Sequence, residues 1–160
     1  GIPGYGYTDG QWFIADLNAD DRDDLVHRWT NGINAWLSTG QGSFSVVQNQ
    51  FSGNSFSQGQ WAVGDFNGDG ASDLTHRWDG GITVWRSAGG GCFSTIQSLL
   101  PGYVFSQGQW FSGDLNGDGK VDLLHRWNDG LNAWMSGYQG SFGSYQNTLP
   151  GYGFSSGQWF

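Results

Sequence analysis

The chain has 160 residues, enough for one sizeable domain, and a net charge of −8 with only six Lys and Arg residues. That shortage of basic residues excludes the patches that nucleic acids and anionic membranes require, and no apolar run is long enough for membrane insertion. Aromatic residues make up 17% of the chain and Gly contributes 29 residues, which favours many short strands joined by glycine turns. Cys92 is the single cysteine, so no internal disulfide forms.

A repeat of 49 residues runs through the chain without an insertion. It is marked by Trp12, Trp61, Trp110 and Trp159. The predicted repeats cover about 11–59, 60–108 and 109–157, and the match between 3–13 and 150–160 adds the start of a fourth. A period of this size with turn residues between strand-like runs is typical of β-propeller blades. We therefore predict an all-β chain that forms one repeat domain.

Each repeat contains an acidic loop of nine residues, at 16–24, 65–73 and 114–122. Side-chain oxygens stand at places 1, 3, 5 and 9 of the loop, and place 7 offers a backbone carbonyl. Gly70 and Gly119 at place 6 allow a turn with positive φ, whereas the first loop has Asp21 there. Asp tolerates this backbone region better than most residues.

A ligand set of oxygens only, with three carboxylates per loop, suits a hard cation such as Ca²⁺ better than zinc. The histidine at place 12 and the strand-like flanks exclude an EF-hand. The alternative is a solvated, Asx-rich turn without an ion. The predicted calcium ligands are Asp16, Asn18, Asp20, Arg22, Asp24, Asp65, Asn67, Asp69, Ala71, Asp73, Asp114, Asn116, Asp118, Lys120 and Asp122.

Four strands are predicted per repeat, which is the number in a propeller blade. In the third repeat they are 109–115, 121–127, 131–136 and 142–148, with a three-residue hairpin turn at 128–130. Such a turn pairs Trp127 with Leu131 and Leu124 with Trp134, and paired residues share a face. One face then carries Leu123, His125, Trp127, Leu131, Ala133 and Met135, and the other carries Leu124, Arg126, Asn132 and Trp134.

The second of these faces combines an aromatic ring, a guanidinium group and an amide, as sugar sites do. The predicted sugar-binding residues are Arg28, Asn34, Trp36, Arg77, Trp85, Arg126, Asn132 and Trp134. The alternative for these residues is packing between blades. For Trp29, Trp78 and Trp127, which directly follow the three arginines, we favour packing. Thr83 replaces the amide in the second repeat, so the sites need not be equivalent. Tyr5, Tyr7, Tyr103 and Tyr152 are further candidates for a binding rim.

The acidic loop, the Asp-Leu strand after it, the Trp-containing strand and the Gly-Ser-Phe at 42–44 and 140–142 together resemble a known family. They are similar to FG-GAP or VCBS-type calcium-binding β-propeller repeats, and among these to fungal lectins of the Psathyrella velutina type. The resemblance implies a blade with an ion site and a carbohydrate partner of the N-acetylglucosamine type. The sugar-contacting segment of those lectins is absent here, because Trp110 is followed at once by Phe-Ser-Gly-Asp.

We therefore expect a secreted, calcium-stabilised lectin with repeated, multivalent sugar sites. Each candidate catalytic side chain recurs at the same place in every repeat, whereas a catalytic site combines different groups in one pocket. We therefore predict no enzyme activity. The alternatives are a protein-interaction or adhesion propeller module and an accessory segment of a larger secreted enzyme. Three blades do not close a ring, so we expect a homo-oligomer, with a homodimer favoured over a fragment of a longer chain.

Overall fold

The computed structural model describes residues 10–29, 32–50, 59–78, 81–99, 108–127 and 130–145. These residues form twelve strands and one short 3-10 turn, Tyr138–Gly140. The strands are β1 (Gln11–Ala15), β2 (Asp24–Trp29), β3 (Gly32–Ser38), β4 (Phe44–Gln50), β5 (Gln60–Gly64), β6 (Asp73–Trp78), β7 (Gly81–Ser87), β8 (Phe93–Leu99), β9 (Gln109–Gly113), β10 (Asp122–Trp127), β11 (Gly130–Ser136) and β12 (Phe142–Tyr145).

The strands make three four-stranded antiparallel sheets, each built from consecutive strands, in the orders β1-β2-β3-β4, β5-β6-β7-β8 and β9-β10-β11-β12. We call them sheets 1, 2 and 3. The all-β prediction and the four strands per repeat are confirmed. Within the described residues, no helix has the length and apolar character that would let it cross a membrane. The Tyr-rich candidates, the hairpin residues 128–129 and the partial fourth repeat lie outside the described residues.

The predicted hairpin register is wrong by one residue. Trp127 pairs with Gly130, His125 with Asn132, and Leu123 with Trp134, so only residues 128–129 connect the two strands. Sheets 1 and 2 have the same register, with His27 opposite Asn34. Because adjacent residues of a strand point to opposite faces, this shift exchanges the face of every residue on β11.

The corrected register gives each sheet two distinct faces. We call the face with His125, Asn132 and Trp134 the tryptophan face, and the face with Arg126 and Ala133 the arginine face. The predicted trio of Arg126, Asn132 and Trp134 is therefore split between the two faces. The same split separates Arg28 from Asn34 and Trp36, and Arg77 from Trp85.

Two apolar clusters join the sheets. The first contains Leu17, Val26 and Ile33 from repeat 1 with Leu74 and Trp85 from repeat 2. The second cluster joins repeats 2 and 3, and its buried members are Phe66, Ile82, Val84, Leu123 and Trp134. The arginine face of each sheet thus packs against the tryptophan face of the next sheet, and burial of these side chains holds the stack together.

Candidate functional site

The junctions between sheets place an arginine over a tryptophan of the following sheet. The guanidinium carbon of Arg28 lies 5.5 Å from the ring centroid of Trp61, and that of Arg77 lies 4.9 Å from the ring centroid of Trp110. These distances are within the range of a cation–π interaction. Such contacts repeat because the residues recur at the same places in successive repeats.

In sheets 1 and 3 a glutamine on the first strand accepts a hydrogen bond from the arginine of the second strand. Arg28 Nη2 donates to Gln11 Oε1 at 2.9 Å, and Arg126 Nη1 donates to Gln109 Oε1 at 2.8 Å. Gln60 and Arg77 are paired in the same register in sheet 2. Burial lowers the pKa of the Arg28 guanidinium from its ordinary value, yet an arginine keeps its charge in proteins. The junctions therefore present fixed cationic hydrogen-bond donors beside aromatic rings.

A cavity of about 300 Å³ lies around β5, mainly at the junction of sheets 2 and 3, and Phe13 of sheet 1 also lines it. This volume falls at the lower end of the range for small-molecule sites. Its polar lining comes from Gln60, Thr75, Arg77 and Ser112, and its aromatic lining from Phe13, Trp61, Trp110 and Phe111. An apolar wall with a few convergent polar groups is the usual composition of a ligand pocket.

Of the predicted sugar-binding residues, only Arg77 lines this cavity. Trp36, Trp85 and Trp134 are instead 0%, 4% and 0% exposed, and their rings offer no open face for a sugar to stack on. Asn34 and Asn132 are buried beside the histidines of the tryptophan face. The register explains these positions, because it turns these side chains towards the stacked rings of their own sheet.

The rings of the tryptophan face form a layered stack. In sheet 3, Trp110 lies 4.3 Å from His125 and 5.0 Å from Trp134, with interplanar angles of 14° and 24°. Sheet 2 repeats the stack with Trp61, His76 and Trp85. Trp29, Trp78 and Trp127 lie at the outer end of each stack, and Trp78 is 43% exposed. The stack fixes Trp61 and Trp110 in place, so each can meet the arginine of the preceding sheet.

Sequence reasoning missed Trp61, Trp110 and Gln60 as site residues. The Gly-Gln-Trp run at 59–61 and 108–110 could have indicated these residues, but it was interpreted only as a marker of the repeat period. The glycine of this run has a geometric reason. Gly59 has φ +90°, and an added Cβ would lie 2.1 Å from the Arg77 carbonyl oxygen. The backbone at Gly59 therefore lies directly against β6, the strand that carries Arg77. This close approach positions the side chains of Gln60 and Trp61 at the junction.

The acidic loops are ordered by the carboxylate at place 1. Asp65 accepts hydrogen bonds from the amides of Gly68 at 2.6 Å and Gly70 at 2.8 Å. Asp114 accepts from Gly117 at 2.7 Å and Gly119 at 2.9 Å, and donation by the Gly119 amide in particular holds the pKa of Asp114 below its ordinary value. These contacts wrap the loop around the carboxylate.

The backbone at place 6 behaves as predicted. Gly70 and Gly119 have φ +88° and +84°, and Asp21 adopts φ +62° in the first loop. Asp21 donates its amide to Asp16 Oδ2 at 2.8 Å. The first loop therefore keeps the shape of the other two despite the missing glycine.

The carboxylate at place 9 ties the loop to the third strand of its sheet. Asp73 is 0% exposed and accepts from the amides of Phe66 at 3.2 Å and Ser87 at 2.8 Å. Asp24 and Asp122 make the same pair of contacts. Burial raises the pKa of Asp73 to about 7, and the charges of Asp69 and Asp65 act in the same direction. The sequence predicted only a calcium ligand at place 9. In the structure this carboxylate accepts hydrogen bonds from two backbone amides and so joins the loop to the third strand.

The donor chemistry of the loops fits a hard cation, since only carboxylate, amide and carbonyl oxygens are present. In the part of the chain that the structure describes, however, no three carboxylate, imidazole or thiolate groups converge in a metal-holding geometry. Asp118 instead pairs with Lys120 Nζ at 2.5 Å, and Asp20 pairs with Arg22. Calcium binding therefore stays a prediction. In these two loops it requires Asp118 and Asp20, the carboxylates at place 5, to release Lys120 and Arg22.

No family model and no curated protein matches the chain. Among solved structures it is similar to an Agrocybe aegerita lectin described as recognising non-reducing terminal N-acetylglucosamine, with TM-score 0.79 and 22% identity over 96% of this chain and 41% of the lectin chain. A Photorhabdus luminescens Tc holotoxin pore matches with TM-score 0.63 and 21% identity, over 94% of this chain and 8% of that one. These identities show a common fold, and the chain spans about two fifths of the lectin's length.

Proposed function

We propose that this chain is a calcium-stabilised, carbohydrate-binding lectin module that acts outside the cell without catalysis. The observation that carries the proposal is the cavity between sheets 2 and 3, where Arg77 lies over Trp110 beside Gln60, Thr75 and Ser112. The likeness in fold to a lectin that recognises terminal N-acetylglucosamine supports the same class of ligand here.

The cavity offers the two kinds of contact that a pyranose uses. The aromatic lining contacts the C–H groups of the sugar, with the 44% exposed ring of Phe111 available for stacking, and the guanidinium, amide and hydroxyl groups exchange hydrogen bonds with its hydroxyl groups. Hydrogen bonds to a charged donor such as Arg77 contribute about 1.5–3 kcal/mol each. Junctions that repeat the same residues would give several such sites, and weak sites gain by engaging together.

Calcium would be held by the acidic loops rather than by the sugar site. In the third loop the ligands would be the side chains of Asp114, Asn116 and Asp118 and the carbonyl of Lys120. Bound calcium supplies positive charge that relieves the repulsion between the loop carboxylates. Asp122 at place 9 would keep its two backbone donors and link the ion loop to β11.

A glycan array, probed with the labelled full chain in calcium and in chelator, tests the proposal. We expect binding to glycans with terminal N-acetylglucosamine and weaker binding in chelator at temperatures where the calcium-free chain begins to unfold. An array without any bound glycan, for a chain that is folded by circular dichroism, would contradict the lectin function. Retention of cell-surface proteins stripped of glycans would instead favour the adhesion alternative.

A further inference from the structure

Two of the acidic loops form a matched pair. We call the loops at 16–24, 65–73 and 114–122 loops 1, 2 and 3. Loops 2 and 3 have the same residues at places 1, 3, 4, 5, 6 and 9. In both, the amides at places 4 and 6 donate to the place-1 carboxylate over 2.6–2.9 Å. Places 2 and 8 differ only between uncharged residues, whereas place 7 is Ala71 in loop 2 and Lys120 in loop 3. Place 7 is therefore the one difference in charge between the two loops.

Lys120 gives loop 3 a cation of its own. Its Nζ donates to Oδ2 of Asp118, the carboxylate at place 5, at 2.5 Å. The same oxygen accepts from Asn116 Nδ2 at 3.1 Å. In loop 1, Arg22 at place 7 pairs in the same way with Asp20 at place 5. Two different cationic side chains thus make one contact, because each follows the carboxylate by two residues.

Loop 2 has no such ion pair in the part of the chain that the structure describes. Asp69 at place 5 accepts from Asn67 Nδ2 and from the Ala71 amide, both at 2.9 Å. These donors are neutral. The place-5 carboxylate of loop 2 is therefore held without a cationic side chain, although its other contacts match those of Asp118.

Packing between successive loops explains why place 7 differs. The stem of Lys120 lies against loop 2, since a Cβ added at Gly68 would be 3.2 Å from Lys120 Cγ. Loop 1 has Ala19 where loop 2 has Gly68, and loop 2 correspondingly has Ala71, which is 7% exposed and lacks a Cγ. The long side chain thus follows a glycine in the preceding loop, and the short one follows an alanine. This packing leaves the Lys120 side chain only 21% exposed and holds its ammonium group at loop 3.

We propose that the side chain at place 7 sets the order in which the loops bind a divalent cation, with loop 2 filled at lower concentrations than loop 3. The inference rests on the calcium loops of the proposed function and adds that they are unequal. An incoming cation competes with the Lys120 ammonium group for Asp118, and the two like charges repel each other at short range. Arg22 acts in the same way in loop 1. Because Asp21 and Asp23 add negative charge there, loops 2 and 3 provide the direct comparison.

A calcium titration of the isotope-labelled full chain, followed by the NMR signals of the Gly70 and Gly119 amides, tests the proposal. Each amide donates to the place-1 carboxylate of its own loop and so reports on that loop. We expect the Gly70 signal to reach half of its change at a calcium concentration about threefold or more below that of Gly119, a factor within the range of exposed ion pairs. Asp118→Asn should abolish the Gly119 transition and keep that of Gly70, which assigns each response to its loop.

The decisive variant is Lys120→Met, which keeps most of the stem against Gly68 and removes the charge. Its Gly119 transition should move to the calcium concentration of the Gly70 transition. Lys120→Arg is the matched control, because it keeps a cation at place 7 and should keep the order of filling. A side chain that only packs between the loops would leave the Gly119 transition in place in the methionine variant.

The possible failures are distinguishable. If both glycine signals change at the same calcium concentration in the wild type, or if Lys120→Met does not move the Gly119 transition, the inference is wrong while the loops still bind calcium. If neither signal responds to millimolar calcium, the calcium part of the proposed function fails together with the inference.

Discussion

The guanidinium carbon of Arg77 lies 4.9 Å from the ring centroid of Trp110, across the junction between sheets 2 and 3. Arg77 comes from β6 and Trp110 from β9, so the contact exists only when two repeats are packed together. The contact makes one junction serve two purposes. It stabilises the stack, and it lines the cavity in which we place the sugar.

Replacing Arg77 with methionine should weaken sugar binding at this junction. Methionine keeps much of the apolar stem but removes the charged donor, so we expect about a tenfold loss of affinity or more. Titration calorimetry with N-acetylglucosamine oligomers measures the change. Arg86→Met is the matched control, because Arg86 lies on the neighbouring strand of sheet 2 and does not line the cavity. Equal affinities of the two variants would argue against the junction as the site.

Replacing Gly59 with alanine should destabilise the fold by more than about 2 kcal/mol, since it combines a strained backbone with a clash. The added Cβ would lie 2.1 Å from the Arg77 carbonyl oxygen and 2.6 Å from His76 Nε2. Urea unfolding measures the loss. Gly89→Ala separates the two causes, because Gly89 also has positive φ, at +74°, but nothing lies within 4 Å of its Cβ. We expect about 1 kcal/mol for that control, and similar losses for both would refute the steric argument.

Removal of calcium should lower the melting temperature, because an ion that binds only the folded state stabilises it by mass action. Asp118→Asn should lower the melting temperature in calcium and change it little in chelator. Asp23→Asn is the control, since place 8 of the loop is outside the predicted ligand set. Differential scanning calorimetry provides the comparison. A wild-type melting temperature that is the same with and without chelator would mean that the loops hold no ion.

In calcium-free buffer, Asp73 should make the protein less stable as the pH rises. Burial raises the folded-state pKa of Asp73 to about 7 from its ordinary value of 3.8, so folding favours the protonated form. The stabilising contribution of that proton is fully present below pH about 4 and is lost as the pH rises through about 7. Urea unfolding at a series of pH values in chelator measures the slope.

The Asp73→Asn variant isolates this contribution, because it differs from the wild type only at this carboxyl group. We expect a flatter dependence of unfolding free energy on pH in the variant than in the wild type. Identical slopes would show that the buried carboxylate is not protonated in the fold. Added calcium should oppose the wild-type slope, since it favours the ionised loop.

The sequence was sufficient to predict the strands and the shape of the loops, because both follow from local chemistry. Gly70 and Gly119 at place 6 predicted a positive-φ turn, and the structure has one. Aromatic-rich, strand-like runs separated by glycine turns predicted four strands per repeat, and three four-stranded sheets form. These features depend on residues close together in the chain.

The predicted face assignment failed at a single residue of register. The run Asn128-Asp129-Gly130 suggested a three-residue turn, but Gly130 joins β11 and pairs with Trp127. That shift moved Trp134 away from Arg126 and into the stack with Trp110 and His125. The aromatic partners of Arg28 and Arg77 are instead Trp61 and Trp110, each 33 residues further on and in the next sheet, and no local pattern reports a contact between repeats.

A carbohydrate site between the sheets is tested by an NMR titration of the tryptophan indole N–H signals with N-acetylglucosamine, with the Trp110 signal assigned from a Trp110→Phe variant. We expect Trp110 to show one of the largest shifts, and we expect Arg77→Met to reduce it. Shifts confined to tryptophans outside the junctions, or no shift at saturating sugar in a folded sample, would contradict a carbohydrate site between the sheets.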